Sequence, residues 1–140
     1  MASSDWSQTT LKDCNLCGTN WQDVVLMYAN LIDCDISEAQ WNRTDLTGAD
    51  VVRTNLSSLR GHRTVLTITK FTQSSLRGAV LEEALLEGTQ LTKVDLREVV
   101  MKSSHINSVI LNECKLARMT VPESTINSTE GLEECIENST

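Results

Sequence analysis

Large apolar residues recur at every fifth position along almost the whole chain. The series runs from Trp6 to Ile126, and 24 of its 25 positions carry a large apolar side chain, with Gly61 as the exception. Only 40% of all residues are apolar, so composition alone cannot produce this regularity. The residue two places before each of these positions is small, except at Leu59 and Met119. The other three residues of each five-residue unit are mostly polar.

A period of five residues excludes the two common elements. An α-helix would place successive apolar residues about 140° apart around its axis. A flat strand would place them on alternating sides, because five is an odd number. A chain that turns about a quarter circle every five residues instead directs all of them inward. Four such units close a square coil of 20 residues, and stacked coils pair as parallel strands about 4.8 Å apart. We therefore predict an all-β solenoid of about six coils.

Individual units resemble a known repeat. The clearest are ANLID at 29–33, TDLTG at 44–48 and VDLRE at 94–98. They are similar to the A-(D/N)-L-x-x unit of the pentapeptide-repeat proteins, and the resemblance covers about residues 4–128. It implies a right-handed quadrilateral parallel β-helix. The chain departs from the motif where an apolar residue replaces the Asp or Asn, as it does at Val65, Val80, Leu85, Val100 and Ile110.

The five-residue frame ends near Ile126, which divides the chain into a repeat region (1–128) and a C-terminal cap or tail (129–140). Asn127 and Glu130 have the spacing of a helix N-terminus, and Leu132, Cys135 and Ile136 follow at helical spacing. We therefore predict a short C-terminal helix that caps the last coil. Met1 and Trp6 are candidates for covering the first coil.

The charge of −7 disfavours direct binding to nucleic acid, which requires a basic surface. It is unevenly spread, at −5 over residues 1–42, +3 over 43–70 and −5 over 71–140. The N-terminal residues do not resemble a secretory signal, and no apolar run has the length of a membrane span, so we expect a cytoplasmic protein that contacts no membrane.

The five cysteines indicate neither a metal nor a redox centre. Cys14 and Cys17 form a lone C-x-x-C, and no second pair accompanies it. Cys14 and Cys34 are 20 residues apart and should stack in neighbouring coils, close enough for a disulfide in principle. A reducing compartment would keep them as thiols. Cys17 should point outward and react most readily.

Two groups of outward residues are candidate binding surfaces. The first is an apolar wall on the coils of Leu26, Leu46, Leu66 and Leu86, and it comprises Val25, Met27, Tyr28, Val65, Ile68 and Leu85. The alternative is that these are ordinary scattered surface residues. The second is a basic belt of Arg43, Arg53, Arg60, His62 and Arg63. Its alternative is ion pairing with Asp23, Glu83 and neighbouring acids along the stack.

The column of Trp21, Trp41 and Gly61 also has two interpretations. Gly61 either relieves the crowding caused by two stacked indoles or leaves a ligand-sized gap beside Trp41. We favour the first interpretation.

The sequence contains no recognisable catalytic, cofactor-binding or metal-binding motif. We therefore expect a non-catalytic module that binds a protein partner or a second copy of itself. The resemblance implies an alternative, because some pentapeptide-repeat proteins bind type II topoisomerases such as DNA gyrase by mimicking DNA. A third possibility is that the chain accompanies a catalytic domain in a larger protein.

Overall fold

Short parallel strands stacked along one axis form the entire regular structure. The computed structural model describes residues 4–122 and 129–131. Each strand has three residues, except for four in β9 and two in β10. The strands are β1 Thr10–Lys12, β2 Asn30–Ile32, β3 Asp50–Val52, β4 Arg60–His62, β5 Lys70–Thr72, β6 Val80–Glu82, β7 Gln90–Thr92, β8 Val100–Lys102, β9 Val109–Asn112 and β10 Thr129–Glu130.

Every strand pairs with residues 20 positions away, which confirms the square coil. One sheet has the order β1-β2-β3-β5-β7-β9-β10, and the other has the order β4-β6-β8. Their pairings are all parallel, for example Leu31 with Val51 and Gly61 with Leu81. Single bridges connect residues 5, 25, 45, 65, 85 and 105 in the same register. These positions mark five complete turns of a right-handed β-helix, and residues 106–122 form most of a sixth, in agreement with the predicted number of coils.

Four flat faces surround the interior, and we number them in chain order. Face 1 is centred on Leu26, Leu46, Leu66 and Leu86, and face 2 on Leu31, Val51, Phe71 and Leu91. Face 3 is centred on Ile36, Leu56, Leu76 and Leu96, and face 4 on Trp21, Trp41, Gly61 and Leu81. All of these central side chains are buried, so the five-residue frame is the hydrophobic core.

A left-handed backbone residue ends each face. All 23 residues at five-residue intervals from Gln8 to Arg118 have a positive φ, and only four of them are glycine. On faces 1 and 3 these residues sit third in a turn whose first carbonyl accepts from the fourth N–H, as in Ala29 N to Leu26 O at 3.1 Å. The quarter turn therefore depends on a conformation that costs a non-glycine residue about 1–2 kcal/mol.

The Asp or Asn of the repeat unit satisfies the turn that follows it. Asp45 Oδ1 accepts hydrogen bonds from the backbone N–H of Thr47 at 2.9 Å and from its hydroxyl at 2.6 Å. Asn55 does the same for Ser57. This contact is the local reason for a polar residue before the central leucine.

Buried hydroxyls tie neighbouring coils together at the small inward positions. The Thr44 hydroxyl donates to the carbonyl of Trp21 at 2.8 Å, and the Thr64 hydroxyl donates to the carbonyl of Trp41 at 2.6 Å. Thr69 and Thr89 repeat the contact with the carbonyls of Leu46 and Leu66. Each bond spans 23 residues, so the small positions contribute hydrogen bonds as well as space.

The unit at Gly61 exchanges the sizes of its two inward residues. Leu59 occupies the normally small position and is fully buried. A Cβ on Gly61 would lie 3.0 Å from Leu81 Cδ2 and would overlap the Thr64 hydroxyl. Thr64 and Leu81 therefore fill the space at Gly61 and leave no ligand-sized gap there, and the relief of crowding by the two indoles stays a prediction.

The C-terminal prediction was wrong where the structure describes it. Thr129 and Glu130 form strand β10, which pairs with Val109 and Ile110 and continues the sheet. Gly131 follows at φ +82 and lies against the carbonyl of Leu111, where no side chain fits. The strand replaces the predicted first helical turn because the coil continues to offer unpaired backbone groups. The predicted cap residues Asn127, Leu132, Cys135 and Ile136 lie outside the described residues, and the boundary at 128/129 stays a prediction.

At the other end, Trp6 packs edge-on against Trp21, with ring centroids 5.9 Å apart. Trp6 is part of the first coil, and the prediction that it covers the end of that coil stays a prediction. Met1 lies outside the described residues.

Candidate interaction surface

All six residues of the predicted apolar wall lie on face 1. Three of them are exposed: Tyr28 by 53%, Ile68 by 48% and Leu85 by 42%. The other three, Val25, Met27 and Val65, are half-buried. The outer surface of face 1 therefore carries apolar side chains on three of four successive coils, with Asp45, Thr47 and Gly48 on the fourth, and its use as a binding surface stays a prediction.

Two large side chains cover two glycines along one corner of this face. The Tyr28 ring lies over Gly48, whose Cβ, if present, would be 2.5 Å from the ring carbon Cδ1. Ile68 lies over Gly88 in the same way, with 3.1 Å between Cγ2 and the position of the absent Cβ. A large side chain thus folds over each glycine of the next coil, which gives the surface a regular relief.

Tyr28 and Ile68 occupy backbone positions that disfavour them. Both have a positive φ, of 58° and 49°. Among the 23 left-handed positions from Gln8 to Arg118 they are the only apolar side chains, and Ile68 is the only β-branched one. A β-branched residue in this conformation is a clear outlier, with a cost on the order of 1–3 kcal/mol. The fold itself does not require either side chain.

The apolar residues of face 1 also remove hydrogen bonds. Asp5 and Asp45 accept from the N–H groups of the turns that follow them. Val25, Val65 and Leu85 stand at the equivalent position, and their side chains cannot accept a hydrogen bond. Face 1 therefore replaces a stabilising polar contact with an apolar side chain in three of its coils.

The basic belt is divided between opposite sides of the solenoid. Arg43, Arg60, His62 and Arg63 lie on face 4, as expected. The sequence predicts Arg53 around the corner from this wall, but it follows β3 on face 2, half a turn away, because ten residues are half of a 20-residue coil. Arg53 therefore cannot act together with Arg43 and Arg63 on one small anion.

Ion pairs neutralise much of this belt, which confirms the alternative interpretation for three of its arginines. Arg43 holds Asp23 through two contacts of 2.6 and 2.9 Å, and Arg53 holds Asp33 with the same geometry. Arg63 Nε lies 2.9 Å from Glu83. Hydrogen bonds from these arginines lower the pKa of Asp23, Asp33 and Glu83 below their usual values.

Two members of the belt differ from these. His62 lies 3.9 Å from both Glu82 and Glu83, beyond hydrogen-bond distance. Arg60 has no ion pair within the described part of the chain. An anion site would therefore depend on Arg60, and this function of the belt stays a prediction.

The repeat unit matches a family model, "Pentapeptide repeats", in eight copies over residues 7–39, 25–58 and 66–102. The matched ranges cover more than half of the chain. The chain belongs to the pentapeptide-repeat family. No curated protein matches its sequence.

Solved pentapeptide-repeat structures resemble this one at low sequence identity. A protein of the Arabidopsis thaliana thylakoid lumen is 23% identical, with 69% of this chain and 68% of that chain covered and a TM-score of 0.48. QnrB1, a plasmid-mediated fluoroquinolone resistance protein, is 13% identical, with coverage of 98% and 88% and a TM-score of 0.48. Rfr23 from the cyanobacterium Cyanothece 51142 is 20% identical, with coverage of 92% and 88% and a TM-score of 0.33.

The cysteines of this pentapeptide-repeat chain that the structure describes are free thiols. The Cys34 thiol donates to the carbonyls of Leu11 and Ile32, both at 3.3 Å, and burial raises its pKa. Cys17 is exposed, as expected, and accepts from the Ser37 hydroxyl at 3.4 Å. Residues 4–122 and 129–131 contain no cluster of side chains suited to a metal ion, and no helix among them could span a membrane.

Proposed function

We propose that this chain is a non-catalytic protein-binding module whose contact surface is face 1. The observation that carries the proposal is the concentration of exposed Tyr28, Ile68 and Leu85 on one face. Two of these side chains stand at left-handed positions that polar residues or glycine occupy elsewhere. Exposed apolar residues that cost the fold free energy are typical of a partner surface. The solenoid supplies the rigid support.

Two further exposed apolar residues provide a contrast. Val80 is exposed by 38% on face 4, and Ile110 is exposed by 39% on face 2. They lie on different sides of the solenoid, so they form no common surface with each other. They represent the ordinary scattered surface residues against which face 1 can be measured.

A capture experiment tests the proposal. The wild-type chain and a Tyr28→Glu/Ile68→Glu variant are immobilised and exposed to a lysate of the source cells. Glutamate already occupies the left-handed position at Glu38 and Glu83, so the variant should keep the fold. A Val80→Glu/Ile110→Glu variant is the matched control, because it exchanges two similarly exposed apolar residues for the same charge on other faces.

We expect the control to recover the wild-type partners and the face 1 variant to lose them. Truncation of central apolar anchors at an interface commonly costs about 2 kcal/mol or more, a loss of about thirtyfold in affinity. Circular dichroism confirms that all three proteins are folded. Recovery of the same partners by the face 1 variant would exclude face 1 as the surface that binds them.

The charge distribution favours this function over mimicry of DNA, which is the second candidate. Five of the 19 acidic residues and none of the 12 basic ones lie beyond Pro122, so residues 4–122 carry a net charge of only −2. Outward positions of faces 2 and 3 hold four acidic and four basic residues each. A DNA mimic needs continuous negative potential along the rod, and these faces provide none.

The topoisomerase alternative has its own assay. DNA gyrase supercoiling is measured with increasing amounts of the chain, in the presence and absence of a fluoroquinolone. We expect no change in supercoiling and no protection from the drug. Inhibition or protection that the Val80→Glu/Ile110→Glu and Tyr28→Glu/Ile68→Glu variants both retain would support mimicry instead of the face 1 interface.

A further inference from the structure

We propose that the partner presents a basic amphipathic α-helix, which lies along face 1 parallel to the solenoid axis. This inference rests on the proposed protein-binding function and specifies the chemistry of the bound element. It follows from the spacing of the apolar side chains on face 1 and from the charges beside them.

The spacing of the coils on face 1 is close to the pitch of an α-helix. Successive coils are about 4.8 Å apart, and an α-helix advances about 5.4 Å per turn. Tyr28 and Ile68 are two coils apart, a distance of about 10 Å, which is close to the roughly 10.5 Å between helical residues i and i+7. The apolar row from Val25 to Leu85 spans three coil spacings and would accommodate about ten helical residues. A helix could therefore contact both Tyr28 and Ile68 with apolar side chains that lie two turns apart on one of its sides.

The charges of face 1 are all negative. Within the described residues, Asp5, Asp45 and Glu87 are its only outward aspartate, glutamate, lysine or arginine side chains. None of the three acids has an ion pair within the described residues. Asp45 uses Oδ1 for its turn, so Oδ2 remains available to a cation. Faces 2, 3 and 4, in contrast, balance their acids with arginine or lysine.

This charge pattern disfavours a second copy of the chain as the occupant. A two-fold pairing of face 1 with itself would bring carboxylates against carboxylates with no lysine or arginine to balance them. A helix with an apolar stripe flanked by lysine or arginine satisfies both the apolar row and the acids. The same helix flanked by glutamate would be repelled.

Two synthetic peptides of equal length test the inference. Both carry leucine at helical a and d positions, and their flanking positions are lysine in one and glutamate in the other. Fluorescence anisotropy of the labelled peptide measures affinity, and difference circular dichroism measures helix formation on binding. Sedimentation of the chain alone measures self-association.

We expect the lysine peptide to bind and gain helix, and the glutamate peptide to bind at least about tenfold more weakly. The Tyr28→Glu/Ile68→Glu variant should bind the lysine peptide about tenfold or more less tightly than the wild type does. The affinity of the Val80→Glu/Ile110→Glu variant should stay within about twofold of the wild-type value. The Asp45→Asn/Glu87→Gln variant should bind the lysine peptide about threefold less tightly, and its affinity should depend less on salt concentration. Non-specific attraction to the acidic chain predicts the opposite for Tyr28→Glu/Ile68→Glu, because added glutamates would then strengthen binding.

Equal affinity for the two peptides, or unchanged binding by the Tyr28→Glu/Ile68→Glu variant, would overturn the inference. Wild-type self-association that this variant abolishes would identify a second copy as the occupant and overturn it as well. If neither peptide binds but the variant still loses partners from the lysate, the helix inference fails and the protein-binding function stands. If capture is also unchanged, both fail.

Discussion

Replacing Ala39 with serine should stabilise this protein by giving the buried indole of Trp41 a hydrogen-bond partner. Trp41 Nε1 is buried, and no hydrogen-bond acceptor lies near it in the structure. One coil earlier, Trp21 Nε1 donates to the Thr19 hydroxyl at 2.6 Å. Ala39 stands at the place of Thr19 in the next coil, where its methyl group cannot accept. A serine hydroxyl at position 39 would reproduce the contact.

The expected gain follows from the two states of the indole. A buried donor without a partner costs about 1–3 kcal/mol, and a formed hydrogen bond contributes about 1 kcal/mol net. The extra oxygen of serine enters a tightly packed column beside Leu59, which offsets part of the gain. We expect a net increase of about 1 kcal/mol in the free energy of unfolding. For a chain of this length that corresponds to a melting temperature roughly 4 °C higher.

Two variants separate the indole contact from other effects of serine. Ala79→Ser introduces the same residue in the same column at an equally buried site, but the residue two places on is Leu81, which has no N–H to donate. Thr19→Ala makes the reverse change and should cost about 1–2 kcal/mol by leaving Trp21 without its acceptor. Guanidinium unfolding, followed by tryptophan fluorescence and circular dichroism, measures all three free energies. Slower solvent exchange of the Trp41 indole proton would report the new bond directly.

The free energy of unfolding of Ala39→Ser, compared with that of Ala79→Ser, tests whether the Trp41 indole gains a hydrogen bond. If the two serines change the free energy of unfolding equally, the Trp41 indole gains nothing from the hydroxyl and the reasoning fails. Unchanged exchange of the indole proton in Ala39→Ser would contradict it independently.

Two further predictions concern the turns and the surface ion pairs. Gly48→Ala should destabilise the fold by about 2–3 kcal/mol, because the site has φ +68 and its new Cβ would meet the Tyr28 ring. Gly18→Ala, at φ +69 with no atom within 4 Å, should cost only about 1 kcal/mol; equal losses in denaturant titrations would disprove the steric contribution. The lowered pKa of Asp33, held down mainly by the hydrogen bond from Arg53, means that folding favours the carboxylate. Its stabilising effect is therefore present above the unfolded value of about 4 and is lost as the pH falls through the lower folded value. Melting temperatures of wild type and Asp33→Asn across this acidic range should converge at low pH, and parallel curves would contradict the role of the pair.

The sequence does not identify the residues that form the turns, because many residue types occupy these positions. Five of the six glycines have a positive φ, four of them at the 23 corner positions, which is a signal that the sequence contains. The remaining 19 such positions carry other residues, from Asp13 to Ile68, so residue type alone does not mark the corner. Stacking of the coils imposes the conformation, because each turn donates its N–H to the carbonyl of the next coil, as Tyr28 does to Thr47.

Two further features required the structure, whereas the half-turn separation of Arg53 from Arg43 and Arg63 already follows from the predicted 20-residue coil. The parallel strand at Thr129–Glu130 could not be distinguished from a helix start, because Asn127 and Glu130 fit a helix N-terminus by local spacing alone. The missing acceptor of Trp41 depends on what surrounds one nitrogen atom in the packed interior.

The sequence by itself determined the path of the backbone, the inward residues and the face on which the apolar wall lies. It could do so because a five-residue period is a one-dimensional pattern that each neighbouring coil repeats, so local spacing defines the contacts. Only the tertiary structure decided which charges pair, how Leu59 compensates for Gly61 and that Tyr28 and Ile68 lie over Gly48 and Gly88. These features arise from contacts between side chains of different coils and faces, whose geometry no periodicity along the chain specifies.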